Sequence, residues 1–256
     1  MPTANAADYP DLEHADLDLT HLTPADRQAL IDHLATFVTP ERWGRIQSVI
    51  ARRTRRITVV LEDLYQPHNA SAVLRSCDGF GIQDVNIIET RNDFAPNRGV
   101  SIGADRWLTL NHYNGAAPAE GPSNTARCLQ DLKARGYTVV ATTPHERSTT
   151  IHDVPIDQPV AVLFGTELTG LTPEALDLAD RYAVIPMFGF SESFNISVSV
   201  ALCLYDLTTR LRADRPDWGL DADAQAQLQL DWLVKSLKAG DRLVQQFWRD
   251  RALAAQ

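Results

Sequence analysis

Apolar positions along the chain follow first a helical period, then a strand-and-helix alternation, then a helical period again. Leu30, Ile31, Leu34 and Phe37 recur at the spacing of one helix face. Ahead of them, Thr23-Pro24-Ala25-Asp26 offers a hydroxyl cap, a proline at the first helical position and an acid at the third. A second helix is expected to begin at Thr39-Pro40-Glu41 and to carry the arginines that follow. From residue 57 the pattern becomes short runs rich in β-branched residues, predicting strands at 56–61, 84–88, 137–142, 160–164 and 182–185. Helices are expected between them at about 69–80, 124–135, 172–179 and 194–212. Strands alternating with helices over some 150 residues indicate an α/β fold, a mainly parallel sheet with helices on both faces. Beyond it, Leu228, Leu230, Trp232, Leu233, Leu237, Leu243, Val244, Phe247 and Trp248 form an apolar stripe accompanied by Lys235, Lys238, Arg242, Arg249 and Arg251, so 213–256 reads as helical.

Charge sharpens this division. The net charge is −9, which by itself disfavours a nucleic-acid binder. Residues 1–40, however, hold seven acids (Asp8, Asp11, Glu13, Asp16, Asp18, Asp26 and Asp32) against Arg27 alone, so the other 216 residues carry only −3. Between 42 and 56 stand Arg42, Arg45, Arg52, Arg53, Arg55 and Arg56 with no acid among them. Local fields govern phosphate contacts, because exposed charges more than about 8 Å apart are largely screened at physiological salt. The chain is therefore expected to comprise an acidic mobile tail (1–19), a helical extension with an arginine cluster suited to phosphate contact (20–56), an α/β domain (57–212) and a C-terminal helical extension (213–256). Three scattered cysteines, Cys77, Cys128 and Cys203, favour a reducing compartment, and with no apolar run long enough to span a bilayer the expected location is cytoplasmic, with no membrane partner.

Several chemistries have no foothold. The chain lacks GxGxxG after its first strand, GxxxxGK[ST], HExxH and GxSxG, and His145 and His152 belong to no ligand cluster, so no metal is expected. Three segments exceed what packing needs. In Asn69-Ala-Ser-Ala-Val-Leu-Arg75, Asn69 stands where a strand gives way to a helix, in the place of a cap, and Arg75 lies six residues further on. In Phe164-Gly165-Thr-Glu167-Leu-Thr-Gly170-Leu171 a carboxylate sits between two glycines at a strand's carboxyl end, where open α/β sheets bind ligands. In Ile185-Pro-Met187, followed by Ser193-Phe194-Asn195-Ile-Ser197-Val-Ser199, capping accounts for Ser193 or Asn195 but not both, nor for the two later serines.

Taken in order, these three segments resemble the motifs of the SpoU family of RNA ribose 2′-O-methyltransferases, over roughly residues 40–215. The terminal helices, the run Pro67-His68-Asn69 and the segment Gly103-Ala-Asp-Arg-Trp107 are most similar to the tRNA D-loop guanosine enzymes of the TrmH type. Phe194 stands where leucine is commoner and Glu192 where glutamine is. The resemblance implies a C-terminal trefoil knot, a homodimer with its sites beside the interface, and tRNA or another structured RNA as partner. It also implies S-adenosyl-L-methionine as cofactor, bent in the knot near Thr142, Gly165, Ile185, Met187 and Phe194. In-line methyl transfer needs an aligned hydroxyl and help in removing its proton. Guanidinium groups keep their own proton at neutral pH, so Arg75 is read as a phosphate anchor and electrostatic stabiliser of the developing alkoxide. Asn69 would orient Arg75 or the ribose, Glu167 would hold the set together, and Ser193 and Asn195 would shape its floor. Methylation of ribosomal RNA or of another tRNA position, and a knotted RNA-binding protein without catalysis, are the alternatives; a small-molecule methyltransferase is disfavoured by the arginine cluster.

Overall fold

The computed structural model describes residues 19–96, 101, 103–115, 121–143 and 148–254. The acidic segment with Asp8, Asp11, Glu13, Asp16 and Asp18, and also His145, lie outside the described residues. The chain divides into two compact units, residues 1–50 together with 221–256, and residues 51–220.

The first unit is helical. Helix α1 (Pro24–Ala35) starts as its sequence dictates, the Thr23 hydroxyl accepting from the Asp26 N–H at 3.1 Å. Helix α2 is Pro40–Ile50, and α7 (Ala222–Ser236) and α8 (Gly240–Ala254) come from the end of the chain. Leu30, Ile31 and Leu34 of α1 are buried, as are Ile46 and Ile50 of α2, Leu228, Leu230, Trp232 and Leu233 of α7 and Val244 of α8. Arg27, also buried, ion-pairs with Asp223.

The second unit is a seven-stranded, wholly parallel sheet in the order β3-β2-β1-β6-β4-β7-β5. Its strands are β1 (Ile57–Glu62), β2 (Asp84–Ile88), β3 (Thr109–Tyr113), β4 (Thr138–Thr142), β5 (Thr149–Thr150), β6 (Val160–Phe164) and β7 (Arg181–Val184). Residues alternate between the two faces, so Ile57, Val59 and Leu61 join one core with helices α3 (Pro67–Phe80) and α6 (Ile196–Asp214), while Val60 joins the other with α4 (Asn124–Ala134) and α5 (Pro173–Leu178). Central strands covered on both sides are largely apolar, and β1, β2 and β6 are buried along their whole length, their interior polar residues Thr58 and Asn86 being hydrogen-bonded to each other at 2.9 Å.

Two local expectations need correction. The second helix does not carry the whole arginine cluster. It ends at Ile50 because Thr54 is drawn into the sheet: its N–H donates to the Gly81 carbonyl (2.9 Å) and its own carbonyl accepts from the Gln83 N–H (3.0 Å). Gly81 closes α3 at φ +79°, and a Cβ there would lie 2.5 Å from the Arg52 carbonyl oxygen. Asn69 is also not the cap of α3. The helix starts two residues earlier at Pro67, with Gln66 in the cap position, which places Asn69 in the first turn and frees its amide for longer-range contacts.

Candidate active site

Loops after β6 and β7 meet the start of α3 at the carboxyl end of the sheet. The loop after β6 is tied into a small hairpin by reciprocal hydrogen bonds between Thr166 and Gly170 (N to O, 3.1 and 3.0 Å). Gly170 turns it at φ +69°, and a Cβ on Gly165 would lie 2.2 Å from the Gly170 carbonyl carbon, so glycine is obligatory there. Its far end is held by Glu62, a buried carboxylate at the end of β1 that accepts from the Thr172 N–H (2.9 Å), the Thr172 hydroxyl (2.7 Å) and the Thr125 hydroxyl (2.8 Å).

Glu167, at the tip of this hairpin, collects the other motif amides. Asn69 Nδ2 donates to Glu167 Oε1 at 2.9 Å and to Gln66 Oε1 at 2.6 Å. Asn195 Nδ2 donates to the same Glu167 oxygen at 2.8 Å and to Asn69 Oδ1 at 3.1 Å. Asn195 caps α6, its Oδ1 accepting from the Ser197 N–H (2.9 Å) and the Ser197 hydroxyl (2.6 Å). Asn69, Glu167 and Asn195, from three distant segments, thus form one closed polar triangle. Each amide gives one hydrogen bond to the carboxylate and a second to a neighbouring amide, which fixes the side chains before any ligand arrives.

Beside the triangle lies a cavity of about 330 Å³. Thr142, Gly165, Ile185, Met187 and Phe194, the five positions expected to hold a cofactor, all line it, together with Glu167 and Ser193. Ser199 and Cys203, one turn apart on α6, complete one wall, so Ser199 faces the cavity while Ser197 serves the cap. Burial pushes the Cys203 thiol up to about 12, which leaves it protonated and inert at neutral pH. The lining suits an adenosyl group bearing a cationic sulfonium: apolar walls for the ring, hydroxyls, and the carboxylates of Glu167 and Glu192.

Arg75 is not joined to the triangle. It is exposed on α3, its side chain forms no hydrogen bond or ion pair among the described residues, and it lines a separate cavity with Asp78, Ser101, Ala104 and Trp107. The arginine cluster is also split. Arg42 and Arg45 are exposed on α2 and belong to the helical unit, and Arg52 is exposed in the α/β unit. Arg55 pairs with Asp84 (3.2 Å), and Arg56 pairs with Asp217 (3.0 Å) while also donating to the Asp157 carbonyl (2.7 Å). Arg53 is 1% exposed, ion-paired with Asp78 and donating to the Ile82 carbonyl at 2.9 Å. Arg53→Ala is therefore expected to cost about 2–4 kcal/mol of stability through the broken pair, and Arg52→Ala almost none. Denaturant titration of the two variants checks this, and equal midpoints would contradict it.

Sequence reasoning missed Glu62 and Gln66, which brace the triangle without belonging to a motif. A signal for Glu62 exists in the acid that closes the apolar run Val59-Val60-Leu61, since a carboxylate is rarely buried unless donors await it.

The SpoU rRNA Methylase family model matches residues 56–205, which take in the Glu62 brace, the triangle and the cavity. A tRNA (guanosine(18)-2′-O)-methyltransferase of Borreliella burgdorferi is 39% identical over 205 residues, 80% of this chain and 90% of the relative. The enzyme of the same name from Thermus thermophilus is 36% identical over 77% of this chain and 98% of its own. Among solved structures, an A. aeolicus TrmH/SpoU tRNA modifying enzyme superposes with a TM-score of 0.67 at 25% identity, covering 77% of this chain and 97% of its own. With the matched residues spanning the sheet and both site loops, the chain belongs to the SpoU methylase family.

Proposed function

We propose that this protein transfers a methyl group from S-adenosylmethionine to a ribose 2′-hydroxyl of tRNA, with the D-loop guanosine as the target nucleotide. The observation that carries this reading is the Asn69–Glu167–Asn195 triangle standing against a cavity lined by all five expected cofactor positions. The names of the relatives matched over most of the chain supply the substrate class. The cofactor provides an already activated methyl, so the protein's own task is alignment and charge management. Glu167 keeps the two amides in register at the cavity mouth, and Ser193 and Phe194 shape its floor. Asn69 and Arg75 lie six residues apart on α3, about 9 Å along its axis and about a third of a turn around it, a separation that one strand of RNA can bridge. There Arg75 holds a phosphate and lowers the energy of the developing alkoxide, and the released proton can leave through that phosphate.

The same reading draws the C-terminal part of the α/β unit as a trefoil knot and the working form as a homodimer in the cytoplasm. Support for the dimer comes from Val198, Leu202 and Tyr205, at i, i+4 and i+7 on α6, which leave an apolar stripe in solvent, and Phe188 and Phe190 are exposed as well. Leu202→Arg is expected to yield a folded monomer by light scattering with most methyl transfer lost, whereas a dimer of unchanged mass would remove this stripe from the interface. The exposed arginines Arg42, Arg45 and Arg52 would make sequence-independent phosphate contacts.

The decisive experiment is to incubate the full chain with S-adenosylmethionine and an unmodified tRNA transcript, then map ribose methylation. Calorimetry with excess chelator accompanies it. Cofactor binding that survives the chelator and a 2′-O-methyl group at the D-loop guanosine are expected. Methylation confined to ribosomal RNA would move the substrate, and no cofactor binding would end the reading.

A further inference from the structure

We propose that Trp107 is a substrate-positioning residue, its indole providing the surface on which a nucleobase of the bound RNA stacks while Arg75 holds the phosphate of the same strand. The inference rests on the tRNA reading above and concerns a second cavity that the methyl-donor site does not include. This cavity, about 260 Å³, is lined by Arg75, Asp78, Ser101, Ala104 and Trp107. Its polar groups point to an anion. The carboxylate of Asp78 is already neutralised by Arg53, and the Ser101 hydroxyl donates to Asp105 at 2.8 Å. That leaves the guanidinium of Arg75, which no described residue engages.

The indole wall points to more than an anion. Trp107 closes a tight turn that begins at Gly103 with φ +78° and runs through Ala104–Arg106. Its N–H donates to the Ala104 carbonyl at 3.1 Å, and its carbonyl accepts from Nε2 of Gln83 at 3.1 Å. Gln83 is itself 1% exposed and anchored to the Thr109 hydroxyl at 3.1 Å. The backbone that carries the ring is therefore held from both sides, so that a base stacking there orders only the two side-chain torsions of the tryptophan. The guanidinium of Arg106 lies 5.6 Å from the ring centroid, a geometry in which the ring already accepts a planar cation. A cation for phosphate next to a pre-set aromatic face is the arrangement by which proteins hold an unpaired nucleotide. Inorganic phosphate needs only the arginine, whereas a nucleotide uses both.

The test compares wild type, Trp107→Ala and Trp107→Phe as full chains, reading anisotropy of a labelled unmodified tRNA transcript, calorimetric affinity for S-adenosylmethionine, thermal midpoint, and steady-state KM and kcat. Stacking predicts that Trp107→Ala weakens tRNA binding and raises KM for tRNA about tenfold. Cofactor affinity and midpoint should stay unchanged, and Trp107→Phe should recover to within about threefold. Equal tRNA affinity in the alanine variant overturns the proposal, and so does a loss that tracks a lowered midpoint and is not restored by phenylalanine. If wild type binds tRNA and the alanine variant does not, yet no RNA is methylated, the stacking role stands and the methyltransferase reading falls. No tRNA binding by wild type overturns both.

Discussion

Arg75→Ala is expected to lower single-turnover methyl transfer to tRNA by about 100-fold or more, the scale of losing one positioned electrostatic group, while S-adenosylmethionine affinity stays within about twofold. The separation follows from geometry: Arg75 lines its own cavity and shares no lining residue with the cavity beside the triangle. Arg75→Lys should recover only part of the rate, because an ammonium is a point charge without the planar fork that grips a phosphate. Quenched-flow measurement with saturating cofactor reads the chemical step directly. A near-normal rate in the alanine variant would make Arg75 a bystander, and an equal loss of cofactor affinity would place it in the other cavity.

Gly165→Ala is the second large effect, and it acts on the opposite quantity. The new Cβ would lie 2.2 Å from the Gly170 carbonyl carbon, 2.3 Å from its oxygen and 2.4 Å from the Leu171 nitrogen. All three are backbone atoms that cannot swing aside as a side chain would. Relief requires opening the Thr166–Gly170 hairpin, which carries Glu167 out of reach of Asn69 and Asn195 and distorts the cavity wall. Cofactor affinity is expected to fall by at least tenfold, with a midpoint loss of only about 1–3 kcal/mol, since overpacking at one loop spares the sheet. Calorimetry and denaturant titration on the same preparation check both. Wild-type cofactor affinity would show that the hairpin is not part of the binding wall.

The central strands were legible because they are rich in β-branched apolar residues. Val160–Phe164, the unbroken apolar run expected of a strand covered on both faces, and Asp84–Ile88, carried by Val85, Ile87 and Ile88, match their expected bounds. The edge strands were not. Thr109–Tyr113 is half-exposed and mixes Asn111 and His112 into its pattern, and Thr149–Thr150 is too short to show any period. The arginine run misled for a related reason: nothing in Arg52-Arg53-Thr54-Arg55-Arg56 reveals that Thr54 will pair with the lead into β2. At the site, the side-chain types drew notice as excess polarity around glycines. Their mutual bonding could not be read, because Asn69 and Asn195 meet across 126 positions that no local period spans. The separation of Arg75 from Asn69, on one helix but in different cavities, likewise needs the third dimension.

The strand order has a kinetic consequence. β1 lies between β2 and β6, and Val59 pairs on one side with Val85 and on the other with Val162, about 100 residues later. The chain must search over that separation before its central strand is covered, and non-local pairing of this kind slows folding. A nascent chain made as far as Phe80 holds β1 and α3 with neither neighbouring strand yet synthesised, leaving unpaired apolar edges of the sort that aggregate or call for chaperones. The polar triangle matures later still, since Asn195 follows every strand of the sheet. Refolding followed by far-ultraviolet signal should therefore run ahead of recovery of S-adenosylmethionine binding.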